Sequence, residues 1–153
     1  MPNKLTAHQK LNIGETSSSR ASELQGLADY YKKSSIRLEA ARSLAERRDQ
    51  LVKKAAEHVF QAYPSELSTD QKLTYCMRDI GYFIKVVEYC LVSDSSKPVD
   101  EVLNGLREIY FALELSLACC IEALNFIRTN HGLVADQALE ANIYIDLILA
   151  TLS

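Results

Sequence analysis

From Cys76 to Val92 the chain keeps apolar residues at helical spacing with no proline to interrupt them: Ile80, Phe83, Ile84, Val86, Val87, Tyr89, Cys90, Leu91 and Val92. Just upstream, Ser68-Thr69-Asp70-Gln71 has the form of a capping box, with Ser68 at the cap and Gln71 three residues later. A helix that starts there carries Cys76 in its second turn. At about 3.6 residues per turn, Cys76, Asp79, Ile80 and Phe83 fall on one side, with Arg78 and Tyr82 on a neighbouring ridge. One helix therefore presents a thiol, a carboxylate, a guanidinium and a phenol among apolar neighbours. That is the mixture a large, flat, partly ionised ligand requires.

The rest of the chain reads as helix too. Only five glycines and three prolines punctuate 153 residues, which points to an all-α protein. Thr16-Ser17-Ser18-Ser19 is a turn and cap signal. Beyond it Leu24, Leu27, Ala28 and Tyr31 recur at helical spacing, and from Leu38 the stripe continues through Ala41, Ala45, Val52, Ala55, Val59 and Tyr63 until Pro64. Ser93-Asp94-Ser95-Ser96-Lys97 is a loop. Pro98, Asp100 and Glu101 then mark a helix start, with Leu103, Leu106, Ile109, Tyr110 and Leu113 as its inner face. Ser116 is placed to cap the next helix, which ends at Asn130-His131-Gly132, and Asp136 to cap a last one running to Leu152. Six or more helices of mixed length with short links suit a globin-like packing better than a four-helix bundle. Nothing marks a second domain, so residues 1–153 are expected to form one.

Several function classes fall away. A net charge of −3 leaves no basic footprint for nucleic acid. No apolar run reaches membrane-spanning length, and the N-terminus lacks a secretory core. The four cysteines, Cys76, Cys90, Cys119 and Cys120, lack metal-type spacing, and reduced thiols are the simplest reading. A disulfide between the adjacent Cys119 and Cys120 would strain the backbone. His8, His58 and His131 are dispersed, which argues against a metal site and against haem. No hydrolase triad or phosphate loop is present, so no enzymatic activity is expected.

The run Cys76-Met77-Arg78-Asp79-Ile80-Gly81-Tyr82-Phe83 resembles the bilin-attachment helix of phycobiliproteins, the light-harvesting subunits of phycobilisomes. Glu122-Ala123-Leu124-Asn125-Phe126-Ile127-Arg128-Thr129-Asn130-His131-Gly132-Leu133 and the tail from Glu140 to Ser153 look like an α subunit of the phycocyanin type, as does Arg37-Leu38-Glu39-Ala40-Ala41-Arg42. The likeness covers roughly residues 20–153. It implies a globin-like domain preceded by an N-terminal helical hairpin, here residues 1–35, that docks on a homologous β subunit. It also implies higher ring or rod assembly, linker proteins, and a peripheral place on the cytoplasmic face of the thylakoid membrane.

For the site, the resemblance implies phycocyanobilin on Cys76 through a thioether. Asp79 would accept hydrogen bonds from the central pyrrole N–H groups, Arg78 would bind a propionate, and Tyr82 and Phe83 would wall the pigment. Three departures stand out. The segment between Pro64 and Cys76 is short, Cys119-Cys120 replaces a Trp-Tyr pair near the pigment's far ring, and Ser93-Asp94-Ser95-Ser96-Lys97 replaces a Gly-rich turn. They leave two alternatives from the same fold, a low-energy allophycocyanin-like chain and a non-pigmented assembly or capping protein.

Overall fold

The computed structural model describes the backbone from residue 7 and side chains from residue 17. Six helices follow one another: α1 (Ala7–Ala62), α2 (Asp70–Ser93), α3 (Lys97–Leu103), α4 (Leu106–Ala112), α5 (Ala118–Asn130) and α6 (Ala135–Leu152). There is no strand among the described residues. The chain divides into two units, Met1–Ser35 and Ile36–Ser153.

The turn expected at Thr16-Ser17-Ser18-Ser19 does not form. Residues 7–62 are one 56-residue helix, so the N-terminal hairpin is replaced by uninterrupted α1. Serine and threonine cost only a few tenths of a kcal/mol each inside a helix. No proline lies between Pro2 and Pro64, and the helix carries Gly14 and Gly26 without a break. Within the first unit every described side chain but Ser34 is exposed, including Leu24, Leu27, Tyr30 and Tyr31. Leu5, Leu11 and Ile13, which also belong to the expected docking surface, lie outside the described side chains.

In the second unit the small-residue stripe of α1 (Ala40, Ala41, Ala55, Ala56) is buried together with Leu44, Leu51, Val52 and Val59. Helix α2 is central, packing against α3, α5 and α6. Its face Ile80, Phe83, Ile84, Val87 and Leu91 is at most 4% exposed. The start of α2 differs by one residue from the capping-box reading. Thr69 is the cap, its hydroxyl accepting from Lys72 N at 3.1 Å, while Gln71 turns outward to Tyr75.

The single helix expected after Pro98 is two. Asn104 is extended and Gly105 sits at φ +82°, a left-handed conformation that glycine adopts without strain. The break rotates α4, so that Tyr110 is buried while Ile109 and Leu113 are exposed. Ser116 and Asp136 do not cap. Ser116 accepts from Ala118 N just before α5, and Asp136 lies in the first turn of α6 behind Val134.

Polar links tie α1 to the other helices. Arg48 grips Glu88 with two hydrogen bonds of 2.9 and 2.5 Å. His58 meets Glu122 at 2.7 Å and stacks on Phe126. Arg47 donates to the carbonyls of His131 and Gly132 at the end of α5. His131 accepts from Leu133 N on Nδ1 and faces Asn142 Oδ1 with Nε2. Its proton must therefore sit on Nε2. Burial pushes its pKa down, which keeps the ring neutral.

Two glycines of this unit respond oppositely to an added methyl. At Gly81, in mid-helix, a Cβ would meet only Val52 Cγ2 at an ordinary 3.5 Å. Gly81→Ala should stabilise by about 0.5–1 kcal/mol, because alanine is the better helix former. Gly132 has φ +70°, and a Cβ there would fall 2.8 Å from the Arg47 guanidinium that closes α5. Gly132→Ala should cost about 1–2 kcal/mol from left-handed strain alone. Thermal melts of the two variants should move in opposite directions, and a rise for both would refute this account.

Candidate functional site

Three ionisable residues of α2, Arg78, Asp79 and Tyr82, meet at one cleft. Arg78, Asp79, Tyr82 and Phe83 line a hollow of about 370 Å³ whose opposite wall is the end of α3, α4 and the loop after it, with Val102, Ile109, Tyr110 and Leu115 facing in. A second depression of about 560 Å³ has Tyr110 and Leu115 in its lining as well. Ile109, Phe111, Leu113 and Leu115, in the linings of the two, are about half exposed or more.

Asp79 is held from two sides. Arg78 donates through Nε and Nη2 to Oδ1, both at 3.1 Å, and the Tyr110 hydroxyl donates to Oδ2 at 2.7 Å. Arg78 itself is 66% exposed and lies over the Tyr75 ring, 4.9 Å from its centroid. Behind Tyr110, the Cys120 thiol approaches the phenol oxygen at 3.5 Å. Burial pushes the Tyr110 phenol up, with Cys120 and Asp79 adding to it, so the hydroxyl keeps its proton and remains a donor.

Cys76 lies one turn before Asp79 on α2 and is partly buried. Its thiol is pushed up to about 12, first by burial and then by the nearby Cys119, Cys120 and Asp79. The thiolate is the nucleophile, so this sulfur is unreactive by itself at neutral pH. All four cysteines are free. Cys119 is half-buried and Cys120 buried, in keeping with packed thiols.

Of the five residues singled out from the sequence, four line the cleft. Cys76 stands beside it on the same helix, while Phe83, 4% exposed, is mainly core. The sequence reading missed Tyr110 as a site residue. It took that side chain for core, and no local spacing connects it to a carboxylate 31 residues earlier. His58, the residue most suited to an axial ligand, is instead engaged with Glu122 and Phe126. Among the described residues no group of three His, Cys, Asp or Glu side chains is arranged to hold a metal. None of the described helices is long and apolar enough to cross a membrane.

The family model described as phycobilisome protein matches residues 15–152. The chain belongs to the phycobilisome protein family. Its relatives include the phycoerythrocyanin alpha chain of Nostoc sp., 34% identical over 86% of each chain. The B-phycoerythrin alpha chain of Rhodella violacea is 31% identical over 87% of this chain and 88% of its own. The allophycocyanin alpha chain 1 of Microchaete diplosiphon is 32% identical over 86% and 87%. The helical architecture is accordingly the all-α, globin-like fold of the phycobiliproteins. The relatives are alpha chains named for several different pigment proteins, so they place this chain among light-harvesting α-type phycobiliproteins without selecting one pigment.

Proposed function

We propose that this chain is an antenna subunit that holds one linear tetrapyrrole, phycocyanobilin or an isomer of it, through a thioether to Cys76. The observation that carries the proposal is the Asp79 carboxylate, fixed in an apolar cleft one helical turn from a thiol. The donor set fits the pigment. Arg78 is exposed enough to turn to a propionate, for which its forked guanidinium is suited. Asp79 accepts from the pyrrole N–H groups, and an ionised acceptor strengthens those bonds. Tyr82 at the rim and Phe83 at the floor exclude water from one face. The pigment supplies visible absorption; the protein restrains its twisting so that excitation passes on.

Attachment at Cys76 is an addition. Sulfur forms the S–C bond to an exocyclic double bond, and the neighbouring carbon takes the thiol proton. With the thiol pushed up to about 12, a dedicated lyase or other base must assist. Hydrolysing the denatured, acid-treated holoprotein and sequencing the coloured peptide tests the site. The expected peptide contains Cys76 alone, and Cys76→Ser should yield colourless protein. Colour on Cys90 or on Cys119-Cys120 would overturn the assignment. A wild-type chain that stays colourless when produced with bilin and partner would favour a non-pigmented assembly role, which the short connection from Tyr63 to Thr69 would also suit.

The partner we infer is a homologous β subunit, within a phycobilisome bound peripherally to the photosynthetic membrane on its cytoplasmic side through linker proteins. Leu24, Leu27 and Tyr31 repeat at i, i+3 and i+7 and are 49% exposed or more. An apolar helix stripe left in water marks an interaction surface. Deleting residues 1–30 should leave a soluble helical chain that no longer co-purifies with β. A heterodimer that survives the deletion would refute this placement.

A further inference from the structure

The pigment reading leaves one demand on Asp79 unmet, and the following inference rests on that reading. Arg78 cannot turn to a propionate and keep both of its hydrogen bonds to Asp79 Oδ1. Once it turns, the Asp79 carboxylate, 29% exposed, would be free to rotate toward solvent unless something else holds it. Tyr110 is the candidate. It comes from a different element, α4, its side chain is 8% exposed, and its hydroxyl reaches Oδ2 at 2.7 Å. An ionised carboxylate has about four acceptor positions. Tyr110 uses one, so Oδ2 retains room for a second donor from the cleft.

We propose that Tyr110 is a positioning residue. Its hydroxyl anchors Asp79 Oδ2 to the α4 wall, so that the carboxylate stays aimed at the pigment nitrogens after Arg78 has moved to the propionate. Cys120 completes the chain from behind, its S–H directed at the Tyr110 oxygen, which strengthens the phenol as a donor. The groups facing Asp79 are Arg78, Cys76 and Tyr82 from α2, Tyr110 from α4, and Cys120 from α5. In the loaded chain Cys76 is a thioether with no proton to lose, while burial pushes Tyr110 and Cys120 up, so both keep their protons from pH 6 to pH 9. A colour change in that range therefore reports the pigment's own proton.

The test uses the full chain with its partner, loaded with phycocyanobilin, in four forms: wild type, Tyr110→Phe, Asp79→Asn and the double variant. Tyr110→Phe keeps the ring that fills the core and removes only the hydroxyl. The midpoint at which the long-wavelength band is lost should fall by about one pH unit, a tenfold change in the protonation constant. The double variant should titrate like Asp79→Asn alone, because Tyr110 acts through that carboxylate. An unchanged or raised midpoint for Tyr110→Phe, or a double variant that adds the two drops, would overturn the proposal. A second reading needs no pigment. Proton NMR of the unloaded chain should show a slowly exchanging tyrosine hydroxyl that disappears in Tyr110→Phe and shifts in Asp79→Asn. Its absence, or indifference to Asp79→Asn, would also overturn the anchor. If the wild type takes up no pigment, the functional reading fails while the NMR result still decides what Tyr110 holds.

Discussion

Asp79→Asn should leave the pigment attached to Cys76 but weaken its long-wavelength band and make that band titrate at lower pH. The substitution keeps the size of the side chain and one acceptor oxygen while removing the charge. A carboxylate about 4 Å from a unit positive charge is worth on the order of 4 kcal/mol at an effective dielectric near 20. That corresponds to roughly three pKa units. Arg78 remains a neighbouring cation after it turns to the propionate and opposes part of this field, so a drop of about one to three units is expected. The direction follows from charge. An anion beside a cation stabilises the protonated form and raises the pH at which the proton leaves; removing the anion lowers it. Asp79→Ala should shift the titration likewise and also lower fluorescence yield, because it leaves no acceptor to hold the pigment's geometry. An Asp79→Asn holoprotein whose spectrum stays constant from pH 6 to pH 9 would show that another group holds the proton.

The largest effect on stability should come from Glu88. Its side chain is 8% exposed and accepts two hydrogen bonds from Arg48, which is 27% exposed. The pairing raises the Arg48 pKa, chiefly through the hydrogen bond to Glu88, so the guanidinium stays charged. Glu88→Ala would strand that charge between α1 and α2. Removing one partner of a buried pair costs about 3–5 kcal/mol, and the partial exposure of Arg48 places this case near 3. For a chain of this length that lowers Tm by roughly 6–12 °C. Replacing both residues, as Arg48→Met with Glu88→Leu, should restore most of the loss, because no unpaired charge remains. A Glu88→Ala melt within about 1 °C of wild type would mean that water satisfies Arg48 without help.

These two residues differ in how visible they are from the sequence. Asp79 announces itself through its offset from Cys76, since a helix converts a spacing of three residues into neighbours on one face. Glu88 carries no such signal. It sits in an otherwise apolar stretch, and its partner lies 40 residues upstream on α1.

Periodicity and short motifs encode an all-helical chain, the core face of α2, and a thiol, guanidinium and carboxylate on one stretch of helix. Punctuation was read less well. The serine run at 17–19 looked like a turn, but serine and threonine cost a helix little and no proline follows until Pro64, so the helix continues. Asn104-Gly105 looked like helix, yet the glycine takes a left-handed conformation and splits α3 from α4. That this break turns Tyr110 inward onto Asp79, with Cys120 behind it, is legible in no local pattern. Contacts across 31 and 10 residues depend on how helices pack, and packing is fixed by the whole core. The same burial sets the chemistry of Cys76, because desolvation by surrounding helices, and nothing adjacent in the chain, dominates the rise that keeps its thiol protonated.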